Sequence, residues 1–326
     1  MNDLFTADDR AKINAAMASG SGDRFGQLLL ESPNPSGGMT WGCRIGGIVL
    51  ALIIGVILAA ILGLAGLAAL VVLIVVALLL SGRIARWFHR RSLRSRAREE
   101  VVGGWAAERG WQFAKQIPIA NTTPLLRMGD RRSTGWGVTG QLDAGTSFAA
   151  GAYEYEEDRQ VSSTDSDGNT TTHTETTTYP FTIALLSAPL PDLKQVQLRK
   201  GSSDGILAKL SGVVSDLRPV PLESAEFNDQ FRLMVADDAD EVAIRMRFTP
   251  SILVALLERG AGESQAEAEN GVLLVARAGK AKTDDFGELL DVLGDAIWLR
   301  AVLTDDPPGR LPDVPKLRAL LLGASA

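Results

Sequence analysis

Between Ile45 and Leu80 the chain carries 36 consecutive residues with no charge and no side chain more polar than glycine. Such a run must be covered by lipid or protein, because apolar surface is driven out of water. Its length is awkward. As one helix rising about 1.5 Å per residue it would measure roughly 54 Å. The hydrocarbon core of a bilayer is only about 30 Å thick, and one span takes about 20 residues. The run is long for one span and barely enough for two. Near its middle lies Leu62-Gly-Leu-Ala-Gly-Leu67, where two glycines give a turn site. The sequence reading is therefore a transmembrane helical hairpin, with helices near 45–62 and 67–83. Trp41, Trp87 and Phe88 then fall at the interfaces. One long tilted helix is the alternative.

Charge orients the segment. Seven arginines lie between Arg83 and Arg98 with no acid among them, whereas Arg44 stands almost alone before the run. Positive-inside bias then places the C-terminal region in the cytoplasm for one span or two. Arg83, Arg86, Arg90, Arg91 and Arg94 are the candidate contacts for anionic lipid headgroups, at about 1 kcal/mol each. They also suffice as a plain topology signal. Gly47, Ala51, Gly55, Ala59 and Gly63 recur at every fourth position. That ridge would let helix backbones approach closely, within the hairpin or between subunits. The run holds no ionisable residue, which argues against transport by this chain alone.

Residues 101–326 carry 22 Lys and Arg against 32 Asp and Glu, a net charge of −10. Nucleic-acid binding, which rests on neutralising phosphates, is not expected of such a surface. A single cysteine, Cys43, rules out an intramolecular disulfide.

Beyond the basic segment the pattern is α+β. The organisation expected is an N-terminal tail (1–44), the membrane segment (45–82), a basic helix (83–110), a β-rich subdomain (111–200), an α+β subdomain (201–300) and a C-terminal tail (301–326). In the β-rich part, Tyr153 to Thr182 is nearly symmetric about Asp167-Gly168, a favoured hairpin turn. Its polar tip (158–178), rich in threonine, buries almost nothing by composition. Later, Ser224 reads as a cap for a short helix bearing Phe227 and Phe231. Thr249-Pro250 reads as a helix start. A last amphipathic helix from about Thr283 carries Phe286, Leu289, Leu290, Leu293 and Ile297 inward.

The order of these features carries a resemblance. It runs from the apolar hairpin and basic helix through Gly110-Trp-Gln-Phe, Tyr153-Glu-Tyr, Leu190-Pro, Glu226-Phe-Asn-Asp-Gln-Phe-Arg-Leu and Thr249-Pro to a helix reaching Trp298. This resembles a family of uncharacterised, mainly actinobacterial membrane-anchored proteins defined as a domain of unknown function. The resemblance covers about 41 to 300. It implies an integral protein of the bacterial plasma membrane with a cytoplasmic C-terminal domain, and brings no catalytic residues.

No motif supplies chemistry. Gly135-Trp-Gly-Val-Thr-Gly140 matches G-x-G-x-x-G, but strand and turn residues follow where a phosphate-binding helix is needed. The glycines read as sites of tight strand packing. Asp165, Asp167 and Asn169 alternate as in a calcium loop, yet the glycine and the closing glutamate are misplaced. The two histidines, His89 and His173, are far apart in sequence. Glu154, Glu156, Glu157 and Asp158 form a carboxylate cluster, read as a solvated strand face. No catalytic, cofactor or metal site is expected. The function expected is a non-enzymatic membrane protein whose cytosolic domain binds a protein partner or another copy of itself. The alternatives are an anionic-lipid-sensing regulator and a membrane-anchored enzyme with an unrecognised site.

Overall fold

The computed structural model describes residues 7–32, 34–35, 37–62, 64–143, 145–164, 170–188, 195–200, 217–259, 264–279, 286–304, 313 and 321. Two compact units emerge: Met17–Gly104, and Met1–Ala16 with Trp105–Ala326.

Three helices supply the first unit: α1 (Ala7–Glu31), α2 (Gly37–Leu62) and α3 (Leu64–Ala107). α1 lies antiparallel to the later part of α3. Leu28 packs on Leu93 and Ala97, and Gly20 faces Val101. Arg24 pairs with Glu100, and His89 Nε2 lies 2.6 Å from the Ser32 carbonyl.

The membrane reading is corrected here. Among the described residues, no helix is long and apolar enough to cross a membrane. The physical reason is one of length: a span takes about 20 consecutive apolar residues. Most side chains between 51 and 73 lie outside the described residues. α3 does not stop with the apolar run but continues through all seven arginines. The expected N-terminal transmembrane hairpin, the integral plasma-membrane address and the cytoplasmic placement derived from it are all overturned by this finding.

The second unit is α+β. Its strands are β1 (Gln112–Ala114), β2 (Arg131–Asp143), β3 (Thr146–Thr164), β4 (Thr170–Ser187), β5 (Gln195–Lys200), β6 (Leu217–Pro219), β7 (Phe231–Ala236), β8 (Ser264–Glu269) and β9 (Val272–Ala278). They form one antiparallel sheet in the order β1-β2-β3-β4-β9-β8-β5-β7-β6. This sheet runs through both regions read from the sequence as separate subdomains. β9 does the joining: it pairs with β4 on one side (Ala184↔Val275) and with β8 on the other (Ala266↔Val275).

Alternation sends side chains to two faces. One face meets α8 (Phe286–Thr304), which packs on β3, β4 and β9. Thr182 Oγ1 donates to Glu288 at 3.2 Å, and Arg300 Nε donates to the Ser187 carbonyl at 2.8 Å. Phe286, Leu289, Leu290, Leu293 and Ile297 are buried as expected, but so are Val292, Ala296, Trp298 and Val302. A helix buried nearly all round carries a weak amphipathic signal, because both sides face protein. The opposite face carries Tyr153, Tyr155, Tyr179, Phe181, Ile183 and Leu274. It is covered by Ile117 and the short α4 (Pro124–Arg127). Three more helices complete the unit: α5 (Ala225–Gln230), α6 (Glu241–Arg247) and α7 (Pro250–Arg259). Ser224 Oγ caps α5 by accepting from Phe227 N at 3.1 Å, as expected. Asp240 caps α6, a helix the sequence reading did not foresee.

The glycine motif lies within β2. Gly137 faces Gly151 across the strand pair, and a Cβ at Gly137 would collide with the Ala150 carbonyl and Ile117. These contacts explain the glycines without a phosphate. Gly137→Ala should destabilise the domain by about 2–3 kcal/mol, read by urea denaturation. An unchanged midpoint would contradict the close approach.

Candidate functional site

The strongest concentration of polar chemistry lies on the α4-facing side of the sheet, at Glu267. Strand alternation places Gln265, Glu267 and Glu269 of β8 beside Gln195, Gln197 and Arg199 of β5, because Gln197 pairs with Glu267. Glu267 is 1% exposed. Its Oε2 accepts from Leu125 N at 2.9 Å, and its Oε1 accepts from Gln197 Nε2 at 2.7 Å and from Gln265 Nε2. Thr123 Oγ1 also lies close enough to favour the charged carboxylate, yet makes no hydrogen bond of normal geometry. Burial dominates these donors and pushes the carboxyl above the ordinary range. Burial also lowers the Arg199 guanidinium from its usual value; Glu267 opposes that shift and Arg232 adds to it.

The arrangement fixes one short segment from several directions. Leu125 gives its N–H to Glu267 and takes the Tyr153 hydroxyl on its carbonyl at 3.3 Å. Desolvation pushes the Tyr153 phenol up to about 12, so it remains a donor. Arg127 makes a paired contact with Glu269 at 2.8 and 3.2 Å, and Arg132 reaches the Leu126 carbonyl at 3.2 Å. A carboxylate closed to solvent and bonded on both oxygens is a structural fastening. It is not poised for proton transfer to a substrate. At the same sheet end, Gln112, Thr122, Gln141, Ser147, Phe148 and Leu185 line part of an open cleft of about 640 Å³.

The residues singled out from the sequence lie elsewhere. Arg83, Arg86, Arg90, Arg91 and Arg94 are all exposed on α3. Arg91 lies over the Trp87 ring and Arg94 over Phe25, at 5.5 and 5.3 Å. Gly47 is half-buried on α2; the side-chain positions of Ala51, Gly55 and Ala59, and Gly63 itself, lie outside the described residues. So do Asp165, Asp167, Gly168 and Asn169, and with them the hairpin turn and the calcium-like pattern. Of the carboxylate cluster, Glu156 and Asp158 bind Arg131 at 2.7 and 3.0 Å, and Glu154 accepts from Ser133 Oγ at 3.0 Å. Among the described residues, no group of three or more His, Cys, Asp and Glu could hold a metal ion.

Glu267 was missed by sequence reasoning, although a signal exists. Ser264-Gln-Ala-Glu-Ala-Glu269 alternates, and Asn270-Gly271 is a two-residue hairpin turn with both residues at positive φ. Carboxylates on such a strand read as a solvent face. Only the segment covering them makes them buried.

No protein-family model matches the chain, and no curated protein matches it. The crystal structure of the mycobacterial trehalose monomycolate transport factor A, TtfA, aligns with 64% of this chain and 95% of its own length. The TM-score is 0.36 and the identity 12%. A likeness of that size carries neither fold nor role to this chain.

The raised carboxyl gives a signed expectation. In the folded state Glu267 keeps its proton above the ordinary value near 4.5. As pH rises from there through the raised folded value, the unfolded chain loses the proton first. This group's contribution to stability therefore falls with pH across that window. Glu267→Gln should remove that dependence. It keeps an acceptor for Leu125 N–H, and amide rotation lets Gln197 and Gln265 present their unbonded oxygens. Glu267→Leu should cost about 3 kcal/mol or more, leaving buried donors unpaired. Denaturation curves across that range check both; equal pH slopes for wild type and Glu267→Gln would refute the shift.

Proposed function

We propose that this chain is a non-enzymatic assembly protein that binds a protein partner or a second copy of itself. The observation that carries this reading is the apolar surface left open on the helical unit. Leu50, Ile53 and Ile57 fall on one stripe of α2 and are more than half exposed; Trp41 is 65% exposed. Trp87 and Phe88 of α3 are open as well, stacked edge to face at 4.8 Å. Single exposed leucines need no explanation, but a continuous stripe marks a surface that another molecule covers. The closed environment of Glu267 and the pairing of Glu156 and Asp158 with Arg131 favour a role without catalysis. Replacing Ile53 and Ile57 together by Ser should weaken association by about tenfold or more per buried side chain lost. Sedimentation over a range of concentrations reads this. Association unchanged by the double substitution would count against the α2 stripe.

A second reading has its own observation. Arg83 and Arg90 meet no acid among the described residues, and Arg86 bonds only the Gly82 carbonyl of its own helix at 3.1 Å. An unneutralised cationic face suits an anionic surface such as lipid headgroups. On this reading the full chain binds anionic vesicles more tightly than zwitterionic ones, and salt weakens the binding. Changing Arg83, Arg86, Arg90, Arg91 and Arg94 to Gln removes about 1 kcal/mol each. Equal binding to both vesicle types would dismiss it.

A further inference from the structure

We infer that the outer part of β4, Thr170–Thr178, pairs edge to edge with the same segment of a second copy, joining two sheets about a two-fold axis at Thr174. This rests on the assembly reading and names its partner as another copy of this chain.

The two longest strands leave the sheet together. β2 accompanies β3 only as far as Glu156, and β9 accompanies β4 only to Phe181. Beyond those points β3 and β4 continue as a two-stranded ribbon, with Thr170–Thr178 exposed along its whole length. Pro180 marks the end of the wide sheet on this side. Its carbonyl accepts from Gly279 N at 2.8 Å, but it has no N–H to return, so the ladder to β9 stops there.

That bond also sets the direction of every backbone group further out. Along a strand, the N–H and C=O of one residue point to the same side, and the side alternates. Since Pro180 points away from β3, so do Thr178, Thr176, Thr174, Thr172 and Thr170. Of these, Thr178, Thr176, Thr174 and Thr172 present a row of donors and acceptors with no strand beside them among the described residues.

The two edges of the ribbon are treated differently. On the β3 edge, the Glu156 carbonyl accepts from Asp130 N and Asp158 N–H donates to Asp130 Oδ2, each at 2.8 Å. Charged Glu157, Asp158 and Arg159 follow in sequence. Such an edge repels an added strand. The β4 edge has β-branched threonine at seven of nine positions, and its other two residues are His173 and Glu175.

Complementarity selects the partner and the register. With Thr174 opposite Thr174 of a second copy, all nine residues overlap. Outward-pointing threonines meet as hydrogen-bonded pairs, 172 with 176 on either side of the axis. His173 then faces Glu175 of the other copy, twice by symmetry. These are non-hydrogen-bonded positions, where side chains lie closest. A carboxylate opposite an imidazole N–H is a matched pair. Sliding by two residues in one direction sets Glu175 against Glu175, and in the other sets His173 against His173. The central register alone gives full overlap and two matched pairs.

The test uses the full chain with Cys43→Ser. At Thr174 the two Cα atoms lie about 5.5 Å apart, within disulfide reach. At Thr171 the two copies are about 20 Å apart. Thr174→Cys should therefore form a disulfide-linked dimer on mild oxidation, and Thr171→Cys should not. Thr174→Pro, which removes an outward N–H and leaves the bonds to β3, should raise the dimer dissociation constant about tenfold or more. Glu175→Lys should weaken the dimer, and adding His173→Glu should restore it. Circular dichroism checks that each variant stays folded. A dimer that survives Thr174→Pro, or fails to cross-link at Thr174, overturns this inference while leaving assembly through another surface. A chain that is monomeric at every concentration and binds no partner overturns both.

Discussion

Leu125 is held at both of its backbone groups, and much of one face of the sheet depends on it. Its N–H goes to the Glu267 carboxylate and its carbonyl to the Tyr153 hydroxyl. Glu267 sits on β8 and Tyr153 on β3, with β9 and β4 between them. One residue of the short helix α4 thus ties strands on either side of the sheet centre. The ties seat Leu125 and Leu126 over the aromatic cluster of Tyr153, Tyr155 and Phe181. Desolvating a carboxylate is costly, and the donors around Glu267 offset only part of that cost. The return is specificity: α4 has one seat, because only the Leu125 N–H completes the carboxylate's set.

The same sheet explains why its long strands end as they do. β3 and β4 are core strands where Phe181, Ile183 and Leu185 face α4 and Ala184 and Leu186 face α8. Past Tyr179 the alternation in β4 loses its apolar member, and Thr170–Thr178 are exposed. A two-stranded ribbon without an apolar face gains little from burial and is marginal by itself. Here it is extended from a rigid base, and cross-strand hydroxyls such as Ser162 with Thr172 at 2.9 Å support it. A protruding, polar, β-prone ribbon is poorly suited to enclosing a substrate and well suited to meeting another strand. Together with the open stripe on α2, it gives this chain two surfaces with the character of interfaces.

Local signals were legible where they depend on a few neighbours. Ser224 before Phe227 caps a helix, as its hydroxyl and spacing require. Gly110 ends the long basic helix at positive φ. The inward set of α8 from Phe286 to Ile297 follows from helical spacing, although its burial on further sides does not. Asn270-Gly271 was equally legible as a hairpin turn and went unread, because the alanines and carboxylates before it lack a hydrophobic stripe. The run from Ile45 to Leu80 was read as a membrane hairpin from composition, and no described helix meets that requirement.

The sequence by itself determined the class of the C-terminal region, some of its helix starts, such as Ser224 and Thr249-Pro250, and the exclusion of an intramolecular disulfide. These follow from residue type and spacing over a few positions. It also determined that β3 and β4 turn polar in their outer parts. Tertiary structure decided which strands are neighbours, and hence that β9 joins two regions into one sheet. It decided that Glu267 is buried, since a carboxylate on a strand is solvated until another segment covers it. It decided, too, which edge of the ribbon is guarded. Each of these depends on what lies beside a residue in space, across separations in sequence that no local pattern records.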